Sequence, residues 1–343
     1  MKKATKTIVA VVVVALLVGA GGYYYYIQSI PKPVQNVSFM TDVFLYGKDS
    51  IFYPAISQGY YKQQGVDVSI VPGSGSSAVA QAVGSGAATF GFADSGSALL
   101  AISKGVPIKI VGMIAHNNPC SIVTLNGTGI TKPTDLYGKT LGGAWGSGAC
   151  EQLFTGFEKL TNLNASKISE VTLSLQSFLP ALLAGKVDAV LGFSANSYLW
   201  QDQAAAQNRQ VVAIPWSNYN FSLYSNAIIA SASTIQNNPG LVKSFLSATY
   251  SGILWAYHNQ TGAASLYKQY NPSDTESSSE ILGLTHWAFS IWNQTLLSSA
   301  TQSNPTILGQ MTQSKMQNTI NWISQYQNMQ SIPVQSAYTN QFL

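Results

Sequence analysis

Residues Val71–Asp94 read VPGSGSSAVAQAVGSGAATFGFAD. Three readings compete for this stretch: a Gly/Ser linker, a degenerate phosphate-binding loop, or the ligand-gripping part of a folded domain. A Walker-type loop needs a Lys-Ser/Thr pair after its last glycine, and none stands here. A linker would not run on into an amphipathic helix and an apolar strand. The stretch therefore reads as strand end, turn, short helix and strand. Gly73 and Gly75 let the chain turn at unusual φ, and Ser74, Ser76 or Ser77 can cap the helix that follows. The N–H groups of that helix start face out of the carboxyl end of a sheet, a place suited to a polar ligand group.

Working outward, strands alternate with helices on both sides. NVSFMTDV, VDVSIVP, ATFGFAD and IKIVGMIA read as strands; SIFYPAISQGYYKQQG, SSAVAQAVGSG and SGSALLAISKG read as helices. A second set follows. SIVTLN, KTLGGAW, EVTLSL, VDAVLGF, VVAIPW and LYSNAIIAS read as strands, with ACEQLFTGFEKLTN and FLPALLAGK as helices between them. From Thr234 onward the pattern is helical. Ile320, Trp322, Ile323 and Tyr326 give even the Gln/Asn-rich end a face to bury. This alternation predicts an α/β protein with largely parallel sheets.

In TLGGAWGSGACEQLF the turn-and-helix device repeats: Ser147, Gly148 and Ala149 offer helix N-terminal N–H groups beside Trp145. Trp145 reads as a stacking platform or as core. Glu151 in the first turn is accounted for by the helix dipole, and Asp94 by N-capping of the helix that starts at Ser95.

Of the 343 residues, 46% are hydrophobic and only 9% charged, against about a quarter charged in ordinary soluble proteins. A polar but weakly charged surface suits an acidic exterior. Arg209 is the only arginine and the net charge is +4, with no basic stripe of the kind nucleic acid requires. The N-terminus reads MKKATK followed by an uncharged apolar run, Ile8 to Ile27. That is the length of a membrane-spanning helix, roughly 20 residues, with tyrosines 23–26 at the interface. Gly19–Gly21 also suit a signal cleavage site. Residues 1–29 are thus a signal anchor or signal peptide and 30–35 a tether, and the body lies outside the cytoplasm, at the membrane or secreted. Sequons at Asn36, Asn126, Asn164, Asn220, Asn259 and Asn293 accord with export, as does chance in a chain so rich in Asn, Ser and Thr. Cys120 and Cys150 are an even pair sent to an oxidising space; a disulfide and two core thiols are the alternatives. His116, His258 and His286 have no metal-ligand spacing, so no metal is expected.

Four segments, in order, resemble ABC-transporter solute-binding proteins, in particular those for nitrate, sulfonates and the thiamine pyrimidine precursor. They are GYYKQQGVDVSIVPGSGSSAVAQAVGSGAATFGFAD, ITKPTDLYGKTLGG, LPALLAGKVDAVLGF and STIQNNPGLVKSFLSATYSGILWAYHN. The resemblance implies a type II periplasmic-binding-protein fold, with lobe one at 36–114 and 217–343 and lobe two at 115–216. Crossings are expected near Ala115–Asn118 and Ala213–Trp216. It implies a monomer that holds a small molecule between the lobes and passes it to permease and ATPase subunits, with no catalytic step and no cofactor. Asp42, Lys48, Asp94, Ser95, Phe193, Asn196, Trp216 and Tyr219 join the two glycine loops as expected ligand contacts. Relatives that bind the thiamine precursor carry a Trp-x-Pro and a His in the first loop, where this chain has FLYGKDSIFY. A fungal branch of the family is enzymatic, using pyridoxal phosphate, an active-site His and a cysteine-rich motif; the matching region here, NFSLYSNAII, has no Cys. A ligand-sensing ectodomain is a third reading. With one arginine, placed late in lobe two, the chain suits a neutral, partly aromatic ligand better than an anion.

Overall fold

The computed structural model describes residues 34–146 and 148–343. Residues 1–29 and most of the tether lie outside them. Among the described residues, no helix is long and apolar enough to cross a membrane.

Ten strands form two five-stranded sheets. Lobe one is built on β1 (Gln35–Met40), β2 (Val66–Val71), β3 (Phe90–Asp94), β4 (Ile108–Met113) and β10 (Asn226–Ser231), in the order β2-β1-β3-β10-β4. Lobe two is built on β5 (Cys120–Leu125), β6 (Thr140–Gly143), β7 (Ser169–Thr172), β8 (Ala189–Phe193) and β9 (Val211–Pro215), in the order β7-β6-β8-β5-β9. The chain passes between them at 114–119 and again at 216–225. The second passage starts later than expected, because Ala213, Ile214 and Pro215 still pair with Val123, Ile122 and Ser121.

Each sheet departs from the parallel pattern at one strand. β10 runs antiparallel to β3 and β4, and β5 antiparallel to β8 and β9. Both are the first strand after a crossing. A chain arriving from the other lobe enters at the cleft edge, where the remaining strands end, so it must run the opposite way.

Seven helices frame the site: α1 (Ser76–Ser85), α2 (Ser95–Ser103), α3 (Ala149–Thr161), α4 (Asn196–Leu199), α5 (Pro239–His258), α6 (Ser278–Ser290) and α7 (Gln313–Tyr326). The expected helix at 50–65 is in fact a 3-10 turn, Gly47–Phe52, and two short helices, Tyr53–Ser57 and Tyr60–Gln63. Gly59, at φ +71°, separates those two, a conformation that ends a right-handed helix. In lobe one, β1 and β3 bury Phe39 and Phe90 against Phe245 of α5, with the Phe90 and Phe245 rings stacked at 4.0 Å. In lobe two, Phe157 of α3 stacks on Trp216 at 4.2 Å. Of the C-terminal helices, α6 is tied to lobe one by Ser50 Oγ against Thr285 Oγ1 at 2.8 Å, while α7 sets Trp322 and Tyr326 against Gly156 of α3 in lobe two.

Candidate functional site

Where the carboxyl ends of the two sheets face each other lies a cavity of about 80 Å3, the position at which open α/β sheets bind ligands. Lobe one contributes Asp42, Val43, Phe44 and Tyr46 from the loop after β1, and Gly75 and Ser76 from the loop after β2. Lobe two contributes Gly148–Glu151 at the start of α3, Leu175 and Phe178, Leu191–Phe193 of β8, and Asn196, Leu199 and Trp200 around α4.

The two loops of lobe one are fastened together. Gly75 N–H donates to the Asp42 carbonyl at 2.8 Å, and Gly73 N–H to that of Val43 at 3.1 Å. A Cβ on Gly73 would stand 2.0 Å from the Thr41 carbonyl oxygen, and Gly75 sits at φ +124°. Each position therefore admits only glycine. The Ser76 hydroxyl accepts the Asp94 N–H at 3.0 Å, tying this loop to the end of β3.

Asp42 is held by three donors. Its Oδ1 accepts from Lys48 Nζ at 2.7 Å and from the Val43 N–H at 3.0 Å, and its Oδ2 from Asn226 Nδ2 at 2.8 Å. Lys48, 4% exposed, also donates to Asp49 Oδ1 at 2.8 Å and lies over the Tyr46 and Phe92 rings at 4.7 and 5.0 Å. Burial alone would lower its ammonium pKa; Asp42 and Asp49 outweigh that and leave it raised. Asp49 is pushed up to about 6 by its own burial, against the pull of Lys48. One cation thus serves two carboxylates, and it faces them instead of the cavity.

On the lobe-two wall, a disulfide joins Cys150, in the first turn of α3, to Cys120 at the start of β5, with Cα atoms 5.5 Å apart. Next to it Glu151 is 7% exposed, and its Oε1 accepts the Ala144 N–H at 2.7 Å. Burial pushes its carboxyl up to about 7. The backbone is shaped round this side chain: a Cβ on Gly148 would fall 1.9 Å from its Oε2, and one on Gly143 3.0 Å from its Cγ.

Polar contacts bridge the lobes on both sides of the cavity. Gln152 Nε2 donates to Ser77 Oγ at 2.8 Å on one side. On the other, Trp287 Nε1 donates to Ser194 Oγ at 2.8 Å and Ser277 Oγ to Asp202 Oδ2 at 2.6 Å. The lobes are closed on the cavity, which is smaller than the roughly 300–1,000 Å3 of ordinary small-molecule sites.

Of the expected contacts, Asp42, Gly75, Ser76, Gly148, Ala149, Phe193 and Asn196 line this one cavity. Ser147 lies outside the described residues. Gly73 shapes the loop without lining the cavity, and Ser74 is exposed. Lys48 is turned to its carboxylates. Asp94 is a buried cap of α2, accepting from Gly96 and Ser97 N–H and from Ser225 Oγ, while the Ser95 hydroxyl donates to the Ser225 carbonyl. Trp145 packs beside Phe154 at 5.9 Å and donates to the Val171 carbonyl. Trp216 is wholly buried in the core of lobe two, and Tyr219 meets the edge of Phe157 at 5.9 Å. Trp216 goes to the core, and Trp145 and Tyr219 pack half-buried at its edge, because α3 presents Phe154 and Phe157 to them. The sequence reading passes over Phe44, Tyr46, Phe178, Trp200 and the cavity role of Glu151. Phe44 and Tyr46 stand two and four residues past Asp42, a spacing that could have flagged them.

A family model described as NMT1/THI5 like matches residues 49–263, more than half of the chain. The chain belongs to this family. It is 25% identical over 237 residues to a 4-amino-5-hydroxymethyl-2-methylpyrimidine phosphate synthase of Schizosaccharomyces pombe, covering 66% of each chain. It is also 25% identical over 229 residues to the riboflavin-binding protein RibY of Chloroflexus aurantiacus, covering 64% of this chain and 62% of that one. The chain thus spans just under two thirds of the length of these curated relatives. In fold it is similar to the alkanesulfonate-binding protein SsuA of Xanthomonas axonopodis pv. citri, solved with MOPS bound. The TM-score is 0.67 at 12% identity, covering 90% of this chain and 99% of that one. The fold is accordingly that of the periplasmic binding proteins.

Proposed function

We propose that the protein is the extracytoplasmic solute-binding component of an ABC import system, capturing a small neutral or aromatic ligand between its lobes and delivering it to a membrane permease. The observation that carries this reading is the cavity between the facing sheet ends, walled by Phe44, Tyr46, Phe178, Phe193 and Trp200. An anion is disfavoured there, since the nearby ammonium of Lys48 is committed to Asp42 and Asp49 and Glu151 adds a further carboxyl. Such a protein works outside the cytoplasm, and residues 1–29 would hold it to the membrane or direct its secretion.

The similarity to a pyrimidine phosphate synthase raises a catalytic reading. Pyridoxal phosphate, the cofactor implied for that branch, does not fit this cavity: among the described residues no Lys or His lines it, and its carboxyls oppose a phosphate. His116 lies on the first crossing, buried against Tyr224 and Trp292.

The test is a thermal-shift screen of the full chain against flavins, pyrimidines, sulfonates, nitrate and polyamines. A ligand that binds only the folded state raises the melting temperature by mass action. A shift with a neutral aromatic compound supports the reading, and silence across the panel at millimolar ligand counts against it.

A further inference from the structure

We propose that Glu151 sets the specificity of the cleft, and that the ligand it selects presents an N–H donor, neutral or cationic, on a planar ring. The inference rests on the solute-binding reading above. Glu151 is a buried carboxyl at the cavity surface whose protein donors are two backbone groups, the Ala144 N–H and its own N–H, with no side-chain donor among the described residues. Gly143 and Gly148 make room for it. Among the described residues, the other titratable groups lining the cavity are Asp42 and Tyr46, with Lys48 and Asp49 behind Asp42. Asp42 already takes three donors, and Lys48 is shared between two carboxylates. A buried carboxylate without a cationic partner is best met by a donor from the ligand. The apolar remainder of the wall is aromatic, which suits the face of a ring.

Four probes built on one ring isolate the head group: benzamidine (cationic donor), aniline (neutral donor), toluene (none) and benzenesulfonate (anion). Calorimetric titration of the full chain is expected to give affinity in that order. Glu151→Gln keeps an acceptor for the Ala144 N–H, so the unliganded melting temperature should stay near wild type while benzamidine binding falls at least tenfold and toluene binding holds. A merely structural role would not move the pH profile. Burial holds the carboxyl near 7, so benzamidine affinity should fall about tenfold per pH unit below that value and lose this dependence in the variant. Benzenesulfonate binding tightest, benzamidine binding untouched by the substitution, or silence from all four probes would overturn the proposal. Binding of a sulfonate or nitrate alone would overturn it and leave the capture reading standing. If the variant unfolds, the wild-type affinity order and pH profile still decide.

Discussion

Gln152 Nε2 of lobe two donates to Ser77 Oγ of lobe one at 2.8 Å, so the starts of α3 and α1 touch across the cleft. Both helices begin at the glycine loops that form the cavity wall. The bond exists only while the lobes are together, so it stabilises the closed state by the net worth of one hydrogen bond, about 1 kcal/mol.

Ser77→Ala is therefore expected to weaken ligand binding by roughly fivefold while leaving the unliganded melting temperature almost unchanged. Small-angle scattering should show the variant more open at subsaturating ligand. An unchanged affinity would mean that this contact does not contribute to closure.

Lys48→Met leaves Asp42 and Asp49 buried without their shared cation. Breaking a buried pair in this way costs about 3–5 kcal/mol, measurable by urea denaturation at pH 8. The loss should shrink at pH 5.5, because Asp49, already held near 6 by burial, takes up a proton. A loss equal at both pH values would refute the pairing as described.

Stability should rise as pH falls from 8.5 to 5.5. Burial raises Asp49 and Asp94 to about 6, Glu151 and Glu158 to about 7 and Glu276 to about 8, above their unfolded values of about 4. In that window the folded state binds more protons than the unfolded one, so rising pH destabilises it. His116, lowered by burial to about 4, acts in the opposite sense, costing stability as pH falls below about 6.5. The raised carboxyls outweigh the one lowered histidine and decide the direction. Melting temperatures across this range check it, and Glu276→Gln should flatten the slope near pH 8.

Reduction of Cys120–Cys150, or the double Ala variant, should cost about 3.6 kcal/mol, as expected for a loop closed over 30 residues. Ligand affinity should drop too, because Cys150 lines the cavity. Denaturation with and without dithiothreitol measures the first effect and titration the second.

Much of the architecture was legible in the sequence, because apolar periodicity and glycine position are local signals. They marked the alternation of strands and helices and both loops that face the cavity. Strand direction was not legible: nothing in CSIVTL or NAIIAS shows that these strands run against their neighbours, since that follows from where the chain enters the sheet. Nor could the sequence separate Trp216, which α3 covers, from Trp200, which the cavity exposes in part. Lys48 read as a cleft cation because its two carboxylate partners, one six residues upstream, meet it only after β1 and the following 3-10 turn are in place. Glu151 read as a dipole partner, which it is, but its place in the wall depends on the facing lobe.

The central claim is that the closed cleft captures a small neutral or cationic aromatic ligand. Calorimetric titration of the full chain with the head-group series, set beside taurine and nitrate, tests it most directly. The account predicts saturable one-to-one binding of a ring compound bearing an N–H donor, lost in Glu151→Gln. Tight binding of the sulfonates or nitrate, with none of the uncharged or cationic rings, would contradict it.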